Sequence, residues 1–484
     1  MASSVDILNL VSTLDVLRTL AAFEDQRFVL LFDSAARHRE RDARYTILTA
    51  DPVAVTQLDK AAFGTNPFEK LRMWQKRLPA LSEEDCDALP SFYGGIAGLM
   101  SYELGQAFEK IPCPAIDDFK IPALLAGLFD WAIVWDHIEG TVRRYALQLQ
   151  ATQSQDLTTP QPATRLRDRI AWIDERLQRS IEHDPTSTQA VVSNSPATAI
   201  SPLRHRIEPL SEIYSDFTRD QYTSTVGRVI EYIRAGDIFQ ANLSQRLMSP
   251  WSGTATELYA SVRSNNPAPF CGLLRTDEFS IVSASPERFL KVDRSRQVET
   301  RPIKGTRRRL RSPIADLYAS DELSTSEKDR AENVMIVDLL RNDISRTCQP
   351  GTVRVTGLCE VERFETVLHL VSTVVGKLRD DCDVWDLMVG CFPGGSITGA
   401  PKIRAMEIIA ELEPIVRGAY CGSLFFLGPC GDFDSSILIR TFTLKDGWVH
   451  FPVGGGIVAD SDPLDEYRET LHKASGMIRS LRTP

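Results

Sequence analysis

Lys304 lies in the segment Arg301-Pro-Ile-Lys-Gly-Thr306, between a proline and a glycine that shape the backbone path. A lysine amine is a strong nucleophile once neutral, but its unperturbed pKa of about 10.4 keeps it charged, so it needs burial or nearby positive charge. Arg307, Arg308 and Arg309 follow and are candidates for that charge. On composition alone the segment would be a basic surface turn. Two acidic stretches argue for more. In Ser324-Thr-Ser-Glu-Lys-Asp-Arg-Ala-Glu-Asn333, Ser324 and Glu327 have the spacing of a capping box, and Asp329 and Glu332 share one helix face. Glu466 and Glu469 repeat that spacing, with Lys473 one turn further on. Carboxylates from two helices, completed by waters and a substrate oxygen, make an oxygen shell suited to Mg²⁺.

Glycine-rich loops add anion sites. Phe392-Pro-Gly-Gly-Ser-Ile-Thr-Gly-Ala-Pro-Lys402 runs into an expected helix start, where backbone amides are free. It has the glycine spacing of a P-loop, but Ala400-Pro401 replace the Lys-Ser/Thr pair, which argues against an NTPase. Val453-Gly-Gly-Gly-Ile457 would let backbone approach a ligand closely, or make a tight turn.

The elements that must position these residues are mixed. Strand formers dominate Phe28–Phe32, Leu128–Trp135, Ile238–Leu247, Phe279–Ser283, Val361–Val375, Tyr420–Leu427 and Ser435–Thr443. Helical periodicity marks Ala163–Ile181, Asp220–Ala235, Ser326–Leu340, Pro401–Leu412 and Asp465–Leu481. With no regular βαβ rhythm, the expectation is an α+β fold. The Ser/Thr/Pro/Ala-rich stretch from Asp184 to Pro202 reads as a linker. It suggests an N-terminal region (1–150), a helical segment and linker (151–210) and a catalytic region (211–484).

Composition narrows the function. The chain has 484 residues, 43% hydrophobic and 25% charged, as in ordinary globular proteins. Its net charge of −10 disfavours nucleic acid or an anionic membrane as partner, and requires local cations or a metal for any anionic substrate. No apolar run is long enough to span a bilayer and the N-terminus has no signal-peptide pattern, so a soluble cytoplasmic protein is expected. The nine cysteines include no CxxC pair, so reduced thiols are expected rather than a zinc site or a disulfide framework.

The motifs, in this order, resemble those of the chorismate-utilising enzymes, and among them the aminodeoxychorismate synthase component I group. The resemblance rests on Gly236–Ser244, Ser285-Pro-Glu-Arg288, Arg301–Thr306, Glu327–Asn333, Asp338–Asp343, His369–Ser372, Gly399–Lys402, Gly418–Gly422, Ile439-Arg-Thr441 and Gly454–Gly456. It covers essentially residues 217–484. A weaker likeness to the family's N-terminal domain runs through Phe32-Asp-Ser34, Arg44-Tyr45 and Gly94–Leu99.

The resemblance implies a large two-sheet β-sandwich flanked by helices. It also implies Mg²⁺ held by Glu332 and Glu469 with Glu466 and Asp329 nearby, and a dianionic substrate, chorismate. Tyr420, Arg440 and the Gly454-Gly455-Gly456 amides match the positions for the enolpyruvyl carboxylate, while Thr398 and Lys473 stand toward the metal end. Arginine's planar fork suits a carboxylate. His369 matches a histidine beside the departing ring hydroxyl, where it would donate a proton or a hydrogen bond.

Two positions select the reaction. Isochorismate- and salicylate-forming relatives place a lysine base where this chain has Gln240, and anthranilate synthases place alanine where it has Lys304. The implied chemistry is amination of chorismate to 4-amino-4-deoxychorismate through a covalent Lys304 intermediate, toward 4-aminobenzoate and folate. Ammonia would come from a separate glutaminase subunit, and another enzyme would release 4-aminobenzoate. In relatives an amino-acid pocket, which takes tryptophan, uses positions matching Ser34, Arg44, Tyr45, Pro267 and Phe270. Asp33 departs from the glutamate typical of tryptophan-regulated members and so argues as much for packing as for feedback. The rival readings are anthranilate synthase component I, disfavoured by Lys304, and a non-catalytic chorismate- or tryptophan-binding regulatory subunit, disfavoured by the intact carboxylates and lysine.

Overall fold

The computed structural model describes residues 4–35, 44–150, 162–182, 203–208, 210, 212–309, 312–363 and 367–482. The expected linker from Asp184 to Pro202 lies outside them.

Two antiparallel sheets, of thirteen and ten strands, pack face to face with helices on both outer faces. Strand alternation builds these layers. In Phe28–Asp33, Phe28 and Leu30 join a core shared with Leu99, Leu125 and Leu424 of the second sheet. Val29 and Leu31 turn to the opposite face and pack with Leu258, Tyr259, Ala474 and Met477 of the covering helices. On the far side, Ile96, Leu124 and Phe425 meet Val337, Trp385 and Met388. Period-2 side-chain alternation thus sends one strand's apolar residues into two cores. Strands from 1–150 and 211–484 share both sheets: Phe28–Asp33 pairs with Phe270–Thr276, and Gly95–Met100 with Ser423–Leu427.

Local structure departs from the sequence expectation in several places. The helix Glu327–Ser345 is capped by Ser326, whose hydroxyl accepts from the Asp329 amide, and not by Ser324. Ser324 and Thr325 close the preceding helix Pro313–Thr325, with hydroxyls donating back to the Asp321 carbonyl. The long strand expected over Val361–Val375 is two antiparallel strands, Arg354–Arg363 and Val367–Lys377. Ser435–Thr443 is broken as well: Phe433–Ser436 belongs to one sheet and Thr441–Lys445 to the other. Arg440 sits in that crossover at φ 52°. Tyr420 precedes the strand Ser423–Leu427 and is not part of it.

The expectation of reduced thiols alone is also corrected. Cys86 and Cys430 form a disulfide across 344 residues of sequence, while the other described cysteines are free. Partners this far apart carry no spacing signal. They meet because the helix Glu83–Asp87 and the turn after Leu427 lie together in the fold.

Candidate functional site

Lys304 is carried by the strand Ile303–Arg308, which pairs with Val367–Lys377. The register shifts between Lys304 and Thr306, at Gly305 with φ 77°. A Cβ on Gly305 would meet the Asp329 carboxyl carbon at 2.9 Å, so glycine admits both this bulge and the close approach of the acidic helix. Lys304 keeps some solvent contact as a residue, yet its amine is packed deeply. Nζ donates to the Ser396 carbonyl at 3.2 Å. Burial is the main force holding its pKa below the usual value. The carboxylates of Glu332 and Glu287 oppose that shift, and Lys473 reinforces it.

The arginine triplet does not do this work. Arg307 pairs with Glu322 at 2.9 Å and Asp329 at 3.2 Å, and Arg309 pairs with Asp316 at 3.0 Å. These acids engage the guanidinium charge away from the amine, and desolvation takes the place of like-charge repulsion.

Glu287 belongs to the Ser285-Pro-Glu-Arg288 motif, and its residue type and spacing alone assign it no role. It is buried, its Oε1 accepts from the Ser396 hydroxyl at 2.8 Å, and burial pushes its carboxyl up to about 7, partly offset by Ser396 and Lys304. Ser396 therefore touches both groups, its carbonyl facing the lysine and its hydroxyl the acid. A proline-flanked glutamate has no periodic signal of its own, so only the fold shows the pairing.

His369 stands opposite Thr306 in the strand register, and its Nδ1 lies 2.8 Å from the Thr306 hydroxyl. Burial first, and the Arg440 charge second, push its pKa down to about 3, so the ring is neutral at physiological pH. Arg440 is half-buried as a residue with its guanidinium set deep in the protein, and burial lowers its pKa. Its guanidinium forms no ion pair among the described residues, unlike Arg417, which pairs with Glu413 at 2.7 Å. An enclosed cation without a carboxylate partner is a site for a ligand anion. Tyr420 is buried too, and burial raises its pKa well above the ordinary value.

The glycine run lies on the strand Trp448–Ile457, with Gly454, Gly455 and Gly456 opposite Ser244, Leu243 and Asn242. A Cβ on Gly455 would meet Glu466 at 3.2 Å, Glu469 at 3.7 Å and the Lys473 amine at 3.7 Å. A Cβ on Gly456 would collide with the Gln240 amide. Lys473 donates to the Gly454 carbonyl at 2.9 Å and pairs with Glu469 at 2.7 Å. Thr398 is buried: its hydroxyl donates to the Gly394 carbonyl at 3.0 Å, and its own carbonyl accepts from the Asn242 amide at 2.7 Å.

Four carboxylates approach from two helices, Glu327–Ser345 and Pro463–Leu481. Burial raises the pKa of Glu332, and Asp329 and Glu466 add to the rise. Burial likewise raises Glu466, which accepts from the Ser461 hydroxyl at 2.6 Å. Burial works against Glu469 as well, but Lys473 outweighs it and holds the carboxyl below its usual range. Among the described residues no three acidic, histidine or cysteine side chains are gathered tightly enough to hold an ion alone. The donors are all hard oxygens and within electrostatic reach of one another, which fits a cation whose shell is completed by substrate and water.

The chain matches the family model for chorismate binding enzymes over residues 28–479. It belongs to the chorismate-binding enzyme family. Within that family it is 38% identical over 450 residues to aminodeoxychorismate synthase component 1 of Escherichia coli, covering 91% of this chain and 90% of the relative. It is 40% identical over 441 residues to anthranilate synthase component 1 of Streptomyces coelicolor, covering 91% and 81%. The solved structure of anthranilate synthase component I from Streptococcus pneumoniae superposes with TM-score 0.72 at 29% identity, covering 91% of this chain and 93% of that one. Overall identity does not separate the two groups of relatives.

A cavity of about 590 Å³ is lined by Ser34, Arg44, Tyr45 and Phe270 among others. Pro269 lines it, and Pro267 does not. Asp33 at its wall accepts from Thr46, Tyr259 and Arg263, each at 2.6 Å, and so ties strands to the helix Ala255–Asn265. No helix among the described residues is long and apolar enough to cross a membrane.

Proposed function

We propose that this chain aminates chorismate to 4-amino-4-deoxychorismate through a covalent bond to Lys304, with ammonia delivered by a glutaminase partner. The observation that carries the reading is the Lys304 amine itself, buried, depressed in pKa and joined through Ser396 to a glutamate that titrates near neutrality. A depressed lysine beside an acid of pKa near 7 is suited to nucleophilic and proton-transfer chemistry at neutral pH.

Arg440, Tyr420 and the Gly454–Gly456 backbone hold the enolpyruvyl carboxylate, and the other carboxylate faces Lys473, Thr398 and the glutamates. Glu332 and Glu469, with Glu466 and Asp329 beside them, would hold Mg²⁺, which supplies positive charge next to the ring carboxylate. Neutral Lys304 attacks ring carbon 2 and forms a C–N bond. The two conjugated ring double bonds shift and the carbon 4 hydroxyl departs as water, taking the proton of Glu287. Its carboxylate then accepts the proton lost by the alkylated amine. His369, being neutral, contributes a hydrogen bond to the departing group. Ammonia adds at carbon 4, both double bonds return, and the carbon 2–lysine bond breaks. The amine leaves with a proton from Glu287, and the new ammonium gives one back. Gln240, in place of a lysine base, leaves water without activation at carbon 2.

Incubation with chorismate, Mg²⁺ and ammonium, followed by chromatography with and without an added aminodeoxychorismate lyase, tests this. Formation of 4-aminobenzoate only with the lyase supports the reading, and anthranilate with pyruvate overturns it.

A further inference from the structure

The strand Gln240–Pro250 carries two ladders of opposite character. Ala241, Leu243 and Leu247 face apolar cores, and Gln245 on the same side donates to the Thr470 hydroxyl at 2.6 Å. The other face presents Gln240, Asn242, Ser244 and Arg246, all buried. A buried polar row demands partners for every donor and acceptor. Two of its members are anchored by acids: Glu413 accepts from both the amide and the hydroxyl of Ser244, at 2.8 and 2.9 Å, and the terminal nitrogens of Arg246 pair with Asp118, the closest at 2.6 Å. At the other end the row is open. Gln240 Oε1 and Asn242 Nδ2 are both buried without a hydrogen-bond partner.

The Asn242 backbone is fixed on both sides. Its backbone amide donates to the Thr398 carbonyl at 2.7 Å, and its carbonyl accepts from Arg417 at 2.6 Å. Across the ladder stands Gly456, where the Gln240 amide fills the place a side chain would take. The Asn242 side-chain amide lies beside the Tyr420 hydroxyl, near enough to favour that group's ionised form against burial, but Nδ2 completes no hydrogen bond of full geometry. Three of the groups that fix Asn242 or border it, namely Thr398, Gly456 and Tyr420, are those assigned above to the substrate.

We propose that Asn242 is a substrate-binding residue whose Nδ2 donates a hydrogen bond to a carboxylate of the bound dianion beside Tyr420. This rests on chorismate being the substrate. The unsatisfied donor is the cost of a site organised in advance for an anion, and the ligand satisfies it.

The test measures chorismate consumption with Mg²⁺ and ammonium for the wild type, Asn242→Ala, Asn242→Ser and Asn242→Asp, together with melting curves with and without chorismate. Losing a hydrogen bond to a charged group is expected to raise KM for chorismate about 10- to 100-fold in the alanine variant. Serine, which keeps a shorter donor, should fall between, and aspartate, which repels the dianion, should be worst. kcat should change far less, and the chorismate-induced rise in Tm should shrink in the same order. Should alanine fail to fold, the serine and aspartate variants decide. A KM within twofold of wild type in folded variants, with an undiminished chorismate Tm shift, overturns the proposal. A wild type that consumes no chorismate overturns the functional reading instead.

Discussion

Replacing Glu287 with glutamine separates the acid's chemistry from its packing, because the amide keeps the shape and an oxygen to accept from Ser396. In the folded protein the carboxyl titrates near 7, against an unperturbed value of 4.5. The folded state therefore retains a proton that the unfolded chain loses between those values. The stability this confers is fully present below pH 4.5 and is lost as pH rises through 7. A difference of about 2.5 units at 1.36 kcal/mol per unit gives roughly 3 kcal/mol lost by pH 8, of which about 2 is already gone at pH 6. Glutamine does not titrate, so Glu287→Gln should gain on the wild type by about 1 kcal/mol between pH 6 and pH 8. Denaturant unfolding at the two pH values reads this difference. Ammonia-dependent turnover of the variant should fall by about 10²- to 10⁴-fold, the range for loss of a general acid–base group. Parallel stability-versus-pH curves would refute the burial argument, and a fully active variant would refute the proton role.

Lys304→Ala should lose turnover with ammonium by on the order of 10³-fold or more, as for other covalent nucleophiles, and mass spectrometry should detect no substrate adduct on it. Arg440→Ala removes an enclosed cation, so KM for chorismate should rise about 10- to 150-fold, measured by steady-state kinetics. Chelation with EDTA should abolish turnover without lowering the Tm of substrate-free protein, and Mg²⁺ should restore it; an unchanged rate would remove the metal role of Glu332 and Glu469. Cys430→Ser should cost about 2–5 kcal/mol in denaturant unfolding under non-reducing conditions, and a reductant should bring the wild type to the same value.

The legible part of this protein was local. Helices such as Pro162–Glu182 and Lys402–Leu412 lie close to where their periodicity puts them, because each presents one apolar face to one layer. The strands were harder where function bends them. Ser435–Thr443 reads as one apolar run, yet the chain crosses between sheets inside it and leaves Arg440 at a positive φ. Nothing in a run of strand formers marks that crossover. The same holds for Lys304. Its neighbours in sequence are arginines, but its neighbours in space are Ser396, Glu287 and Glu332, drawn from three distant segments. Sequence proximity therefore suggested repulsion as the source of its reactivity, whereas the fold supplies desolvation.

That difference bears on how a dianion can enter the site at all. Glu287, Glu332, Glu466 and Glu469 are all substantially buried, and burial raises the first three because carboxylates are enclosed there with too little positive charge. The compensating groups are Lys473, committed to Glu469, Lys304, whose own charge is disfavoured by burial, and Lys328, which is exposed to solvent. A dianion brought next to this set would add repulsion that Arg440 can offset at one carboxylate only. The second carboxylate needs a cation on the glutamate side, which is the physical reason for expecting a divalent ion to bind together with the substrate. On the proposed reading, substrate and Mg²⁺ binding would be cooperative. Chorismate should raise the affinity for Mg²⁺ by the same factor by which Mg²⁺ raises that for chorismate. Calorimetric titration of each ligand in the presence and absence of the other measures both factors. Independent binding of the two ligands would mean that the carboxylates are neutralised some other way.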